Sequence, residues 1–162
     1  MDYMPYVLIF ILVFVLMLVK SFISKNNKKN NISYKKKYLL TKNEYSFFYK
    51  LKPIAEKYNL SILCKIRLAD LIEPASYADR REWYAAFNKI KSKYIDFVLT
   101  TQNMNVLLLI ELEDSSHDKA ERIERDNFVK LAIESADLKL LCVYNNNDAI
   151  KIVDEKLRSI IK

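Results

Sequence analysis

The sequence predicts a mixed α/β domain carried behind one apolar N-terminal segment. Residues 94–100 (YIDFVLT) and 106–113 (VLLLIELE) are two apolar runs joined by a short polar loop, which reads as a hairpin. A helical pattern over residues 117–135 separates the second run from a third at 138–144. A crossover of that kind lets its two flanking strands run parallel, so the sheet contains both kinds of pairing. Residues 3–19 contain no charged side chain and are dominated by Val, Leu, Ile and Phe. With Lys20 reaching to the interface and Phe22 and Ile23 beyond it, this segment meets the roughly 20 residues that a bilayer core requires.

The chain divides into a transmembrane anchor at 1–23, a basic tether at 24–37 and a domain at 38–162. A cleaved signal peptide is the competing reading of the anchor, but the basic start and the small-residue cleavage site it needs are missing. The tether is rich in Lys and Asn and has no periodicity, so it reads as a coil with a root-mean-square reach of roughly 20 Å. Seven lysines lie between positions 20 and 37, unaccompanied by any acid. This bias predicts an N-terminus outside and a C-terminal domain in the cytoplasm, with the lysines contacting anionic lipid headgroups. The same lysines account for the net charge of +7. Without residues 1–40, seven of 27 basic and one of 20 acidic side chains are gone, leaving 20 against 19. Nucleic-acid binding therefore has to be argued from a site, not from net charge.

Within the domain, Thr41, Lys42, Asn43 and Glu44 match a helix capping box, with Leu40 and Tyr45 placed as a hydrophobic staple. Phe47, Phe48, Leu51, Ile54, Ala55 and Tyr58 follow at helical spacing, and Pro53 is expected to kink or split this helix. Residues 60–67 (LSILCKIR) read as a strand and 68–75 as an irregular connection. Residues 77–92 read as a helix with Trp83, Tyr84, Phe87 and Ile90 on one side. In the helix at 117–135, Ala120, Phe128, Leu131 and Ala132 form the packing stripe. Asn145, Asn146 and Asn147 form a turn. A last amphipathic helix at 149–161 turns Ile150, Val153, Leu157, Ile160 and Ile161 inward. The hairpin strands are apolar on both faces, so helices are expected to cover both.

Composition excludes several chemistries. The chain has no glycine, which removes phosphate-binding loops, dinucleotide fingerprints and nucleophile elbows, and its one histidine rules out a His-rich zinc site. Cys64 and Cys142 lie in separate apolar runs without metal spacing and read as reduced core residues.

Three acids interrupt or end the hairpin strands. If the loop is 102–105, antiparallel pairing sets Asp96 opposite Glu111, and alternation puts Glu113 on the same face as Glu111. Converging carboxylates at the end of an apolar sheet are costly unless a cation sits among them. A hard divalent ion such as Mg2+, or Mn2+, suits their oxygens. His117, which opens the next helix, either is structural, as a lone histidine usually is, or orients a phosphate or donates a proton. Arg122 and Arg125 either bind phosphate or pair with neighbouring acids on their helix.

The αβββαβ order, with one acid on the second strand and another on the third, resembles the PD-(D/E)XK nuclease superfamily and, within it, a bacterial family of unknown function. The matching stretches are LTKNEYSFFYKL, the strand before LADLI, FNKIKSKYIDFVL and IELEDSSHDKAERIERD, and the resemblance covers about residues 38–145. The resemblance implies a restriction-endonuclease-like core with a mixed sheet and metal-dependent hydrolysis of phosphodiesters in nucleic acid, DNA foremost. Asp96 and Glu111 would be metal ligands, joined by the Leu112 backbone carbonyl and by Glu44 of the first helix. Glu113 and His117 would assist catalysis, and Arg125, in the family-like run, would hold phosphate. The sequence departs from the superfamily at Glu113, where a charge-stabilising lysine is usual. Lys65, Lys93 and Lys130 are the candidates to supply that ammonium from elsewhere. The alternative is a nuclease-fold module without catalysis that binds nucleic acid or a protein partner.

Overall fold

The computed structural model describes residues 3–26, 32–75, 79–113 and 120–161; of 22–26 and 120–126 it describes the backbone course alone. The chain falls into two compact units, Met1–Lys37 and Tyr38–Lys162. The first contains helix α1, Met4–Asn26. Its stretch Met4–Ser21 has a mean hydropathy of 2.4 and contains no buried residue, and it is long and apolar enough to span a membrane.

The second unit is a mixed α/β domain around one four-stranded sheet. In chain order it comprises α2 (Lys42–Lys57), β1 (Ser61–Arg67), a short 3-10 turn (Leu68–Asp70), α3 (Arg80–Ile90), β2 (Tyr94–Thr100), β3 (Val106–Leu112), α4 (Ala120–Ser135), β4 (Leu140–Val143) and α5 (Ala149–Ile160). The strands lie in the order β1-β2-β3-β4. The first two pairings are antiparallel and β3 with β4 is parallel, as the α4 crossover requires.

The hairpin register agrees with the sequence. Phe97 pairs with Ile110, Val98 with Leu109 and Leu99 with Leu108, and the same offset carried one residue further sets Asp96 across from Glu111. Near the turn the register slips by one, pairing Thr100 with Val106. The turn closes through the Thr101 N–H donating to the Asn105 carbonyl, with Met104 in the left-handed region at φ 64°.

Both sheet faces are covered. On one, Phe47, Leu51 and Ala55 of α2 and Val153 and Leu157 of α5 pack on Phe97, Leu99, Leu108 and Ile110. On the other, Leu68, Ile90 of α3, and Val129 and Ile133 of α4 pack on Ile95, Val98 and Leu109. Each fully buried Leu, Ile or Phe is worth about 1.5–3 kcal/mol of transfer free energy.

Several local expectations need correction. Pro53 does not split α2, which runs through it. The carbonyl that loses its donor belongs to Tyr49, four residues back, and both residues lie on the exposed side of the helix. Tyr45 does not staple to Leu40; Leu40 packs on the core while Tyr45 lies against Tyr49. Leu131 is 65% exposed because Val129 and Ile133 define the buried stripe of α4, and residue 131 falls on the opposite side of the helix. Tyr84 and Ile161 are likewise exposed. α3 begins at Arg80, capped by the Asp79 side chain.

A candidate site around Lys65

The capping box of α2 is formed as the sequence indicates. The Thr41 N–H donates to Glu44 Oε2 at 2.8 Å, and the Glu44 N–H donates to Thr41 Oγ1 at 3.3 Å. Glu44 also has a second role, because its Oε1 accepts from the Lys65 ammonium at 2.6 Å. The same Lys65 Nζ donates to Asp96 Oδ1 at 2.6 Å, and Asp96 Oδ2 accepts the Leu112 N–H at 2.9 Å. Four elements thus meet at one point: the α2 N-terminus, β1, β2 and the end of β3. The three side chains are largely withdrawn from solvent, with exposures of 13% for Glu44, 18% for Asp96 and 26% for Lys65.

The backbone explains how they meet. Lys65 has φ 56°, in the left-handed region that costs a non-glycine residue roughly 1–2 kcal/mol. Strand alternation changes phase there. Ile62 and Cys64 belong to the α2/α5 face, yet Ile66 belongs to the α3/α4 face, where strict alternation would put Lys65. The opposite strand changes phase at the facing position, because Phe97 lies on the α2/α5 face and Ile95 on the other. The 65/96 pair is therefore released from the pleat, and Lys65 reaches Glu44 on α2.

Electrostatics agree with this geometry. Burial would raise the Glu44 carboxyl, but the hydrogen bond from Lys65, the Thr41 N–H and the lysine charge outweigh it, holding Glu44 below its ordinary 4.5. Burial would lower the Lys65 amine, but the hydrogen bonds to Asp96 and Glu44 and the charges of those acids outweigh it, holding Lys65 above 10.5. Lys65 is thus an ammonium at any physiological pH. It can steady negative charge and cannot act as a base. An ammonium has three donors and two are used here, leaving one for an anionic ligand.

The sequence-predicted residues fall out as follows. Asp96, Glu44 and Leu112 are brought together, with Leu112 contributing its N–H to Asp96. Glu111 stands between Ile110 and Leu112, which both face α2 and α5, so alternation turns it to the other side of the sheet. Glu113 follows β3 and donates its backbone N–H to the Val143 carbonyl at 2.9 Å. Among the described residues no group of three or more Asp, Glu, His or Cys side chains is placed to hold a metal ion. The partner that meets Asp96 is an ammonium. Of the three candidate lysines, Lys65 is bonded to Asp96, and Lys130 lies exposed on α4. His117 lies outside the described residues, as do the side chains of Arg122 and Arg125. Cys64 is in no disulfide, and burial pushes its thiol up, away from reactivity.

Fold and site together define an α/β domain with a left-handed lysine clamped between two acids at the end of its sheet. Residues 36–160 match the model of a family described as a protein of unknown function, DUF2726, and the chain belongs to that family. No curated protein and no solved structure matches it.

Proposed function

We propose that residues 38–162 form a nuclease-like domain with a restriction-endonuclease-like core, which hydrolyses phosphodiesters of nucleic acid, DNA foremost, at the cluster of Glu44, Lys65 and Asp96. The observation that carries this reading is the bridged geometry itself: two acids and a lysine from different elements, assembled at a strained backbone position. Strain of roughly 1–2 kcal/mol persists where the surroundings repay it, and such positions concentrate at functional sites. The αβββαβ order and the acids on β2 and β3 support the same reading.

Mg2+ or Mn2+ suits the donor set by its chemistry, since Glu44 and Asp96 offer hard carboxylate oxygens and already hold a cation between them in the Lys65 ammonium. Asp96, Glu44 and the Leu112 carbonyl would be its ligands; Glu111, turned to the other side of the sheet, would not join them. When bound, the ion would activate a water and offset charge on the phosphate. The rest is the work of the chain. The Leu112 N–H fixes the Asp96 carboxylate, and the capping box fixes Glu44. Lys65 presents its remaining donor to a phosphate oxygen, the duty that Glu113 cannot perform. His117 and Arg125 would contact phosphate. The apolar helix α1 would serve as a single-pass anchor with its N-terminus outside, holding the domain in the cytoplasm at the membrane.

A second reading is favoured by one observation: the Lys65 ammonium already pairs with both Glu44 and Asp96. The domain would then be a nuclease-fold module that binds nucleic acid or a protein partner without cutting. Incubating residues 38–162 with linear, circular and single-stranded DNA and with RNA, with Mg2+ or Mn2+, separates the two. Metal-dependent cleavage lost in Asp96→Ala, Glu44→Ala and Lys65→Met supports the enzyme. Binding without cleavage supports the module. Neither activity, together with a melting temperature indifferent to metal, removes the site from consideration.

A further inference from the structure

The outer side of α2 carries a surface that neither the core nor the Lys65 cluster uses. Tyr45 and Tyr49 are 54% and 55% exposed, touch edge to face at 4.9 Å between ring centres, and share a hydroxyl hydrogen bond of 3.1 Å. Lys52 lies over the Tyr49 ring at 5.7 Å. Tyr38 and Leu39, just before the helix, are still more exposed. Residues 32–55 contain six lysines and one acid, Glu44, which is neutralised by Lys65. Glu56, one turn beyond Lys52, bounds the surface.

We propose that this face of α2, with the segment leading into it, docks on an anionic bilayer surface. Tyrosine has an apolar body and a polar tip, and lysine an apolar stem and a charged head; both suit the boundary between acyl chains and headgroups. The charge complements acidic lipid, each lysine near the surface favouring the docked state about five-fold. The same residue types would also suit nucleic acid, with bases on the tyrosines and phosphates on the lysines. Connectivity favours the bilayer. The helix apolar enough to span a membrane ends at Asn26 and α2 begins at Lys42, and a flexible linker of that length would reach roughly 20 Å. Tethered so closely, the face meets the bilayer at high effective concentration, and weak contacts suffice to hold it there. The inference rests on the anchor and does not depend on whether the domain cuts nucleic acid.

Tryptophan probes in the full chain, reconstituted in vesicles, test it. Trp83 is the chain's one tryptophan and sets the background emission. Tyr49→Trp is expected to emit blue-shifted light and to be quenched by bromine-labelled acyl chains in phosphatidylcholine vesicles containing phosphatidylserine. Tyr84→Trp, on α3, is expected to stay unquenched. Adding Lys42→Gln and Lys52→Gln to the Tyr49→Trp protein should lower the docked-to-free ratio about 25-fold. Unchanged far-ultraviolet circular dichroism and Trp83 emission show that the variants fold. A Tyr49→Trp signal that resembles Tyr84→Trp in these vesicles overturns the proposal. So does a probe that responds to an added single-stranded oligonucleotide and not to lipid, which assigns the face to nucleic acid.

Discussion

Replacing Lys65 by Met keeps the side chain's length and apolar stem, and keeps the left-handed backbone, while removing the charge. Two carboxylate oxygens, each 2.6 Å from the lost nitrogen, are then left within about twice that distance of one another. Removing one partner of a buried ion pair costs about 3–5 kcal/mol, and the roughly one-quarter exposure of Lys65 lets water recover part of it. We expect a loss of about 2–3 kcal/mol, or about 6–12 °C in melting temperature for a domain of this size. Thermal unfolding followed by circular dichroism measures it. Adding Glu44→Gln to Lys65→Met removes the repulsion and should restore about half of the loss, as a double-mutant cycle would show.

The pH dependence makes the same test sharper. Glu44 is held below 4.5 in the folded protein, so its share of the stability is present above that value and is lost as pH falls through the folded pKa. Lys65 is held above 10.5, so its share is present below that value and is lost as pH rises through the folded pKa. The gap between wild type and Lys65→Met should therefore be widest between about pH 4.5 and 10.5 and should close on either side. A loss under about 0.5 kcal/mol, the range of an ordinary surface substitution, would refute the reasoning. A gap that stays the same from pH 7 to pH 3 would refute it equally.

Two further outcomes follow from the same geometry. Thr41→Ala removes the hydroxyl that caps α2 and should cost about 1 kcal/mol in denaturant unfolding. It leaves the Thr41 N–H on Glu44, so nucleic-acid binding and cleavage should not change, which separates the cap from the site. Asp154 of α5 clasps α2: the hydrogen bond from Lys57 first, then those of Tyr58 and Arg158, pull its carboxyl down to about 2 against the effect of burial. Its contribution is present above 3.8 and is lost as pH falls through about 2, so Asp154→Asn should flatten the acid limb of the stability curve between those values, as read by acid titration of the circular dichroism signal.

Much of the fold was legible because its signals are local. The capping box needs only Thr41 and Glu44 three residues apart. The hairpin register follows from two apolar runs and the length of the loop between them, and it holds from Phe97 to Leu99. The parallel pairing of β3 with β4 follows from the helix between them. The errors concern which side of a helix looks outward. Leu131, Tyr84 and Ile161 are apolar or aromatic residues near a buried stripe, and their exposure depends on where the sheet lies, which spacing along one helix does not contain.

The site was half legible for a related reason. Asp96 and Glu44 could be named from their positions, but the lysine that joins them could not be chosen among Lys65, Lys93 and Lys130. Strict alternation argues against Lys65: with Leu63 on the α3/α4 face, a regular strand would send Lys65 there too, away from Glu44. The same alternation led to the expectation that Asp96 and Glu111 share a face. Both inferences fail at one residue pair, where Lys65 takes φ 56° and both strands change phase. A left-handed lysine leaves no mark in the sequence, since glycine, the usual sign of that conformation, is absent from the whole chain. What the sequence does show is a single charge, Lys65, inside the otherwise apolar run ILCKI, and a charge so placed has to find a partner or pay the full cost of burial. Glu44 and Asp96, within reach on the α2 side, draw the backbone out of its pleat, because leaving their buried carboxylates without the ammonium costs about 2–3 kcal/mol, more than the about 1–2 kcal/mol of strain.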